Sequence, residues 1–195
     1  MNNNIIKKTE EWVKKYMESY DCSHNFKHVM RVKKLAIEIA ESENLDDNDI
    51  FEVILAALTH DIADHKYTKD INEHHIILKD FFKDKLDTET INNIIYITTN
   101  TSLSKETSNT IIYKSLKLKC VQDADRIDSL GSIGIARYFI YGVIKNKSNM
   151  EEIIDNLETR TNVLLKYINT DYGKKKAEKK YEIIKAYIED FRESI

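Results

Sequence analysis

The most informative stretch of the sequence for predicting the fold is Ala56-Ala57-Leu58-Thr59-His60-Asp61-Ile62-Ala63-Asp64-His65-Lys66-Tyr67. Before and within this stretch, apolar side chains recur at helical spacing: Ile50, Val53, Ile54, Ala57 and Leu58. The pattern predicts a buried helix over residues 49–61 that ends by presenting His60 and Asp61 together. An imidazole and an ionised carboxylate suit a divalent ion such as Mn, Fe, Co, Ni or Zn. Adjacent helical side chains diverge by about 100°, so further ligands must come from elsewhere in the chain.

The composition favours an all-α protein. The chain has 195 residues, no proline and only 4 glycines, so helices can run unbroken and tight strand turns are scarce. Hydrophobic residues make up 42% and charged residues 32%, which is a globular balance with enough apolar material for one sizeable core. We see no domain boundary, and we therefore expect a single domain over residues 1–195.

Several classes of function are disfavoured. The net charge is −3 and no long basic run appears, so we expect no binding to nucleic-acid polymers. Cys22 and Cys120 are too few and too far apart for a disulfide framework or a thiolate metal site. We find neither an apolar run long enough to span a membrane nor a signal-peptide core, so we expect a cytoplasmic protein without a membrane partner.

The remaining helices follow from apolar spacing and polar breaks. The pattern predicts helices over residues 5–20, 24–43, 73–82, 87–99, 116–128, 153–167 and 177–191, with loops over residues 64–72 and 100–108. Ser23 is the expected N-cap of the second helix. Gly131 and Gly134 follow the 116–128 helix, where they indicate a close helix or ligand approach rather than a linker.

Four polar side chains lie beside apolar helical stripes, and they come from three different predicted helices. They are the candidate metal ligands His28, His60, Asp61 and Asp125. Each has an ordinary alternative, such as a core histidine, a surface acid or, for Asp125, an ion pair with Arg31 or Arg126. Together they favour a metal, because several buried charges are costly unless they are paired or bound to an ion.

These residues resemble the H…HD…D pattern of the HD-domain metal-dependent phosphohydrolases. The likeness extends to residues 28–32, 58–67 and 122–137, which look like the compact, stand-alone bacterial HD hydrolases, and it covers nearly the whole chain. The resemblance implies an all-α bundle with a central divalent metal ion. It also implies a small phosphate-containing substrate, with a nucleoside triphosphate as the best single expectation.

The residues around the doublet allow more specific assignments. Asp64 is the candidate to orient or deprotonate the attacking water, with a helix or loop cap as the equal alternative. Arg31 and Lys66 are expected to hold phosphate, and so is Arg126 unless it forms a structural ion pair. Asp128 is expected near the substrate, as a substitute ligand or as an acid that orients a ligating histidine.

One departure from the family pattern keeps a second function open. Relatives commonly carry a histidine where this chain has Asn100, and an amide is a poor ligand for a transition metal. Residues 158–160 also depart from the usual histidine-containing pattern, and we expect His74 and His75 to be a mobile surface pair. The alternative to an active hydrolase is therefore a weakly active or inactive metal-containing module that senses a nucleotide.

Overall fold

The computed structural model describes residues 2–19, 25–62, 73–107 and 112–195, and all regular secondary structure in those ranges is helical. The α-helices are α1 (Asn2–Tyr16), α2 (Phe26–Ser42), α3 (Asp47–Thr59), α4 (Glu73–Phe82), α5 (Thr88–Thr99), α6 (Leu103–Thr107), α7 (Leu116–Asp128), α8 (Gly131–Tyr141), α9 (Met150–Lys166) and α10 (Asp171–Glu193). A 3₁₀ turn, Met17–Ser19, extends α1, and a π-helical turn, Gly142–Asn146, extends α8. The prediction of an all-α fold is confirmed.

The centre of the fold is α2, which packs against both α3 and α7. The buried apolar residues of α2 are Val29, Val32, Ala36, Ile39 and Ala40, which is the stripe that the spacing predicted. Nearly the whole second half of α3 is buried, so this helix has neighbours on most sides. One hydrophobic core includes residues from α1 to α10, and the single domain over residues 1–195 stays a prediction.

Side-chain caps fix where the central helices begin. Asn25 accepts hydrogen bonds from the backbone N–H groups of Lys27 and His28 at the start of α2. Asp46 does the same for Asn48 and Asp49 at the start of α3. Both caps satisfy amides that have no partner within the helix. The predicted cap Ser23 lies outside the described residues.

Some boundaries differ from the predicted ones because capping acts beyond the apolar pattern. α10 begins at Asp171 rather than Ala177, since the Thr170 side chain caps it through the N–H of Gly173. α9 begins at Met150, behind a reciprocal capping box between Asn149 and Glu152. The predicted loop over residues 100–108 contains the short helix α6. The predicted loop over residues 64–72 lies outside the described residues.

The turn between α7 and α8 depends on two glycines. Gly131 has φ +69°, in the left-handed region that favours glycine. A Cβ at Gly134 would lie 2.2 Å from the backbone oxygen of Ser129, so only glycine fits there. The two helices are bent by 68° at this turn, and α8 begins tightly against the end of α7. The predicted close approach at these glycines is confirmed.

In the described ranges, no single helix is long and apolar enough to cross a membrane. The α7–α8 pair together, up to Ile144, reaches that length and apolarity across its bend.

Candidate metal centre

The end of α3 presents His60 with one ring nitrogen already engaged. Its Nδ1 lies 2.9 Å from the carbonyl oxygen of Ala57, one turn earlier. A carbonyl only accepts, so Nδ1 carries the proton and donates it, which leaves the lone pair on Nε2. The side chain is 3% exposed. The sequence therefore builds a histidine that can bind a metal only through Nε2.

His28 near the start of α2 is held in the same way. Its Nδ1 lies 2.7 Å from Oδ2 of Asp128, and the side chain is 1% exposed. Nδ1 donates to this carboxylate, so in the neutral ring the lone pair that can bind an ion is on Nε2. Nε2 of His28 lies 3.3 Å from Nε2 of His60. Two imidazole lone pairs from different helices therefore converge on one point.

Two carboxylates complete this cluster. His28 Nε2 lies 3.4 Å from Asp61 Oδ2 and 3.5 Å from Asp125 Oδ1. His60 Nε2 lies 3.4 Å from Asp61 Oδ1 and 3.7 Å from Asp125 Oδ1. The structure thus brings together all four residues that the sequence proposed as metal ligands.

The residues present fit a divalent ion. Metal–ligand bonds of about 2.1 Å place two ligand atoms about 3.4 Å apart at the tetrahedral angle and about 3.0 Å apart at the octahedral angle. The five separations that involve a histidine Nε2 are 3.3–3.7 Å, close to what two ligands of one ion require. His28, His60 and Asp125 alone already form a group that could hold a metal. Two imidazoles and two carboxylates are a donor set suited to a first-row transition ion.

The electrostatics of the cluster also favour a cation. Burial alone would lower the pKa of His28, but hydrogen bonds with Asp128 and Asp61 and the charges of Asp61 and Asp125 raise it to about 9. The carboxylates therefore hold a positive charge at this point against the effect of burial. When a divalent ion displaces that proton from Nε2, its two positive charges match the two carboxylates Asp61 and Asp125.

Asp125 and Asp128 lie one turn apart on α7 and hold the His28 ring from opposite sides. Asp125 faces Nε2, whereas Asp128 faces Nδ1. Residues three positions apart share one helix face, which explains why both carboxylates reach one ring. The sequence assigned Asp125 to the metal and left Asp128 as a substitute ligand or as an acid behind a histidine, and the structure places Asp128 behind the His28 ring.

Two arginines hold Asp128. Arg31 donates from Nε to Oδ1 at 2.6 Å and from Nη2 to Oδ2 at 2.9 Å, while Arg137 donates from Nη1 to Oδ2 at 3.0 Å. Burial would raise the pKa of Asp128, but hydrogen bonds with His28 and Arg31 hold it far below its usual range. Asp128 is therefore an ionised acceptor.

The other predicted site residues divide into two groups. Arg31 lies beside the cluster, and its contact with substrate stays a prediction. Asp64 and Lys66 lie outside the described residues, so their assignments as base and phosphate ligand also stay predictions. The role of Asp128 toward substrate is likewise untested.

The acids and the arginine of α7 have separate tasks. Asp123 is fully buried and accepts hydrogen bonds from the backbone N–H groups of Asn169 and Thr170, so it anchors the start of α10. Arg126 is 2% exposed, pairs with Glu106 and donates to the carbonyl of Tyr167. Of the two roles proposed for Arg126, the described contacts favour the structural ion pair.

Other polar side chains near α5 are anchored to the fold. His74 contacts the carbonyl of Ile62 and the hydroxyl of Thr98, and His75 contacts Thr99. Both histidines are half-buried, so the expected mobile surface pair is wrong. Asn100 donates its side-chain amide to the carbonyl of Tyr96 at the end of α5. These contacts depend on tertiary packing that helical periodicity does not encode.

Comparison with known proteins places the chain among relatives of similar fold. A family model described as the HD domain matches residues 25–130, more than half of the chain. YpgQ of Bacillus subtilis is 28% identical over 191 residues, which cover 94% of this chain and 90% of YpgQ. The crystal structure of YpgQ in complex with ADP superposes with a TM-score of 0.82 at 27% identity, over 100% of this chain and 96% of that one. An HD-superfamily hydrolase from Bacillus thuringiensis superposes with a TM-score of 0.78 at 27% identity, covering 100% and 98% of the two chains.

The chain is a helical protein with a two-histidine, two-aspartate cluster at the meeting point of its central helices. It belongs to the HD domain family. The sequence-based identification of the family is confirmed.

Proposed function

We propose that this chain is a metal-dependent phosphohydrolase that acts on a small nucleotide, with a nucleoside triphosphate as the preferred substrate class. The observation that carries the proposal is the convergence of the His28 and His60 Nε2 atoms, 3.3 Å apart, on Asp61 and Asp125. The crystal structure of the relative YpgQ in complex with ADP supports a nucleotide as the ligand.

The number of protein ligands, four, limits which ion can also bind water and substrate. Four protein ligands fill a tetrahedral zinc site and leave no position for water, as in structural zinc sites. Ions that accept up to six ligands, such as Mn²⁺ and Fe²⁺, retain room for water and a phosphate oxygen. We therefore expect one such ion per chain. When bound, the ion lowers the pKa of a coordinated water and polarises a phosphoryl oxygen.

Side chains of the protein would orient the metal ligands and accept the proton of the attacking water. Asp128 and Ala57 hold the rings of His28 and His60 through Nδ1, so neither ring needs to rotate to offer Nε2, and His28 releases its Nε2 proton when the ion binds. Asp64 is the candidate to accept the proton of the attacking water as its oxygen bonds to phosphorus and the phosphorus–oxygen bond to the leaving group breaks. Its place three residues after Asp61 is the basis for this assignment.

Positive groups are available for the phosphates. Arg31 uses two of its five N–H donors on Asp128, and its side chain is 38% exposed, so further donors remain for a phosphate oxygen. Lys66 is the second candidate to balance charge that develops on the phosphoryl group. A triphosphate matches a metal and two cations better than a monophosphate does.

The test is a turnover panel with the full chain loaded with Mn²⁺. Nucleoside triphosphates, diphosphates and monophosphates, cyclic dinucleotides and single-stranded DNA and RNA are compared, and released phosphate is distinguished from pyrophosphate. We expect triphosphates to react fastest, with pyrophosphate as the leaving group. Asp125→Asn should abolish turnover, whereas the exposed acid variant Asp155→Asn on α9 should not.

Two results would contradict the proposal. Faster cleavage of polynucleotides or cyclic dinucleotides would refute the substrate class. Tight nucleotide binding without turnover in the Mn²⁺-loaded protein would instead support the sensing module that the Asn100 departure leaves open.

A further inference from the structure

Asp128 has more charged donors than one buried carboxylate needs for neutralisation. Its Oδ2 accepts hydrogen bonds from Nδ1 of His28 at 2.7 Å, Nη2 of Arg31 at 2.9 Å and Nη1 of Arg137 at 3.0 Å. Its Oδ1 accepts a hydrogen bond from Nε of Arg31 at 2.6 Å. One guanidinium already forms a two-point pair with this carboxylate, so the second requires its own explanation.

The two arginines differ in exposure. The side chain of Arg31 is 38% exposed, whereas that of Arg137 is 17% exposed. Arg31 can therefore share its donors with a ligand that enters from solvent. In the described part of the chain, Arg137 pairs with Asp128, and its Nη1 also lies 3.3 Å from Nδ1 of His28, so this guanidinium lies at the back of the His28 ring.

The fold fixes Arg137 in this position. It lies one turn after Gly134 on α8, and residues three positions apart share a helix face. Gly134 lies against the end of α7, where no side chain would fit. Asp128 is the last residue of α7. The tight α7–α8 turn thus places Arg137 next to the carboxylate that orients His28.

We propose that Arg137 is a positioning residue that keeps Asp128, and through it the His28 ring, in the metal-binding orientation while Arg31 is shared with the substrate phosphate. The inference rests on the proposed function for the substrate part, but its metal part does not require turnover. Partners behind a ligating histidine fix its ring and tautomer, and their removal weakens metal affinity about 10–100-fold.

The experiment measures binding of Mn²⁺ alone to the full-length chain by electron paramagnetic resonance. Arg137→Gln removes the charge, Arg137→Lys retains it with different geometry, and Arg192→Gln is the matched control. Arg192 also pairs with carboxylates, but with Asp155 and Glu158 on the exposed face of α9. Thermal unfolding of each metal-free variant reports any general loss of structure.

We expect Arg137→Gln to raise the Kd for Mn²⁺ at least about tenfold, Arg137→Lys to restore part of the affinity, and Arg192→Gln to leave it unchanged. With Mn²⁺ at saturation, Arg31→Gln should raise KM for the triphosphate more than Arg137→Gln does. A larger rise in KM for Arg31→Gln than for Arg137→Gln separates substrate binding from positioning. A general loss of stability would not produce different KM values for the two variants.

Two outcomes overturn the inference. One is wild-type Mn²⁺ affinity in Arg137→Gln, and the other is an equal rise in KM for both arginine variants at saturating metal. If no nucleotide is hydrolysed but Arg137→Gln still weakens Mn²⁺ binding with Arg137→Lys intermediate, the proposed function fails while the positioning role stands. If nucleotides are hydrolysed and Mn²⁺ affinity is unaffected, the positioning role alone fails.

Discussion

Replacing Glu106 with Gln should destabilise the protein without affecting its metal site. The Arg126 side chain is 1% exposed and that of Glu106 is 7% exposed, and Arg126 Nη2 lies 2.5 Å from Glu106 Oε2. Glu106→Gln leaves this guanidinium buried opposite a neutral amide. Removing one partner of a buried ion pair typically costs about 3–5 kcal/mol.

The expected loss lies at the lower end of that range. Arg126 retains its hydrogen bond to the carbonyl of Tyr167, and the glutamine oxygen can still accept. Lys114, the other partner of Glu106, keeps Asn169 Oδ1 at 3.2 Å and is 32% exposed. We therefore expect a loss of about 3 kcal/mol, which for a chain of this length lowers Tm by roughly 6–12 °C.

The pH dependence supplies a second signature of the pair. Burial would raise the pKa of Glu106, but Lys114 and Arg126 lower it from the ordinary value of 4.5. A carboxyl with a lowered folded-state pKa contributes stability above its unfolded-state pKa, and this contribution is lost as the pH falls through the folded value. The stability difference between the wild type and Glu106→Gln should therefore narrow below about pH 4.5.

The assay is urea unfolding of the metal-free proteins at pH 7 and at several acid pH values, with Mn²⁺ affinity measured alongside. The double variant Glu106→Leu, Arg126→Met should recover much of the loss, because apolar replacements remove the buried charge as well as its partner. The reasoning is refuted if Glu106→Gln changes stability by less than about 0.5 kcal/mol, the scale of an ordinary surface substitution. It is also refuted if the main effect falls on Mn²⁺ affinity or KM.

Three further predictions concern single side chains. Asp64→Asn should retain the metal and lose turnover by roughly 10²-fold or more, and near-normal rates at unchanged metal content would identify Asp64 as a loop cap. Lys66→Ala should lower kcat and kcat/KM equally if its contact forms in the transition state, whereas a rise in KM alone would show uniform substrate binding. Burial and the charges of Asp123 and Glu43 raise the pKa of Cys120 to about 12, so in a Cys22→Ser background the native protein should not react with a thiol reagent at pH 8 until it is unfolded. Rapid labelling of the folded protein would contradict that burial.

The sequence predicted the central helices well because their apolar stripes are strong. The 3.6-residue period located α2, α3 and α7, and it placed His28 and Asp125 beside buried faces. No helix was predicted where α8 lies, and other elements escaped the period for a physical reason. α10 begins six residues early because Asp123 and Thr170 stabilise its first turn, and α6 is a short helix within a polar segment. Capping and tertiary hydrogen bonds use polar groups, and the spacing of apolar residues does not reveal these.

The candidate site was predictable in its inner residues and not in its surroundings. A histidine–aspartate doublet with a distant histidine and aspartate has a chemical signature that sequence spacing retains. Arg137 has no such signature, because its role depends on a tight turn at Gly134 that brings α8 back to the end of α7. The different tasks of Asp123, Asp125 and Asp128 depend on their rotation around α7, which becomes clear only when the neighbouring helices are placed.

The central claim is that His28, His60, Asp61 and Asp125 bind one divalent ion. The most direct test is the metal content of the purified full chain, measured after dialysis against Mn²⁺, beside a His60→Ala, Asp61→Ala double variant and the control Asp155→Asn. The account predicts about one ion per chain in the wild type and the control, and almost none in the double variant. Full retention of the ion by a folded double variant would contradict it.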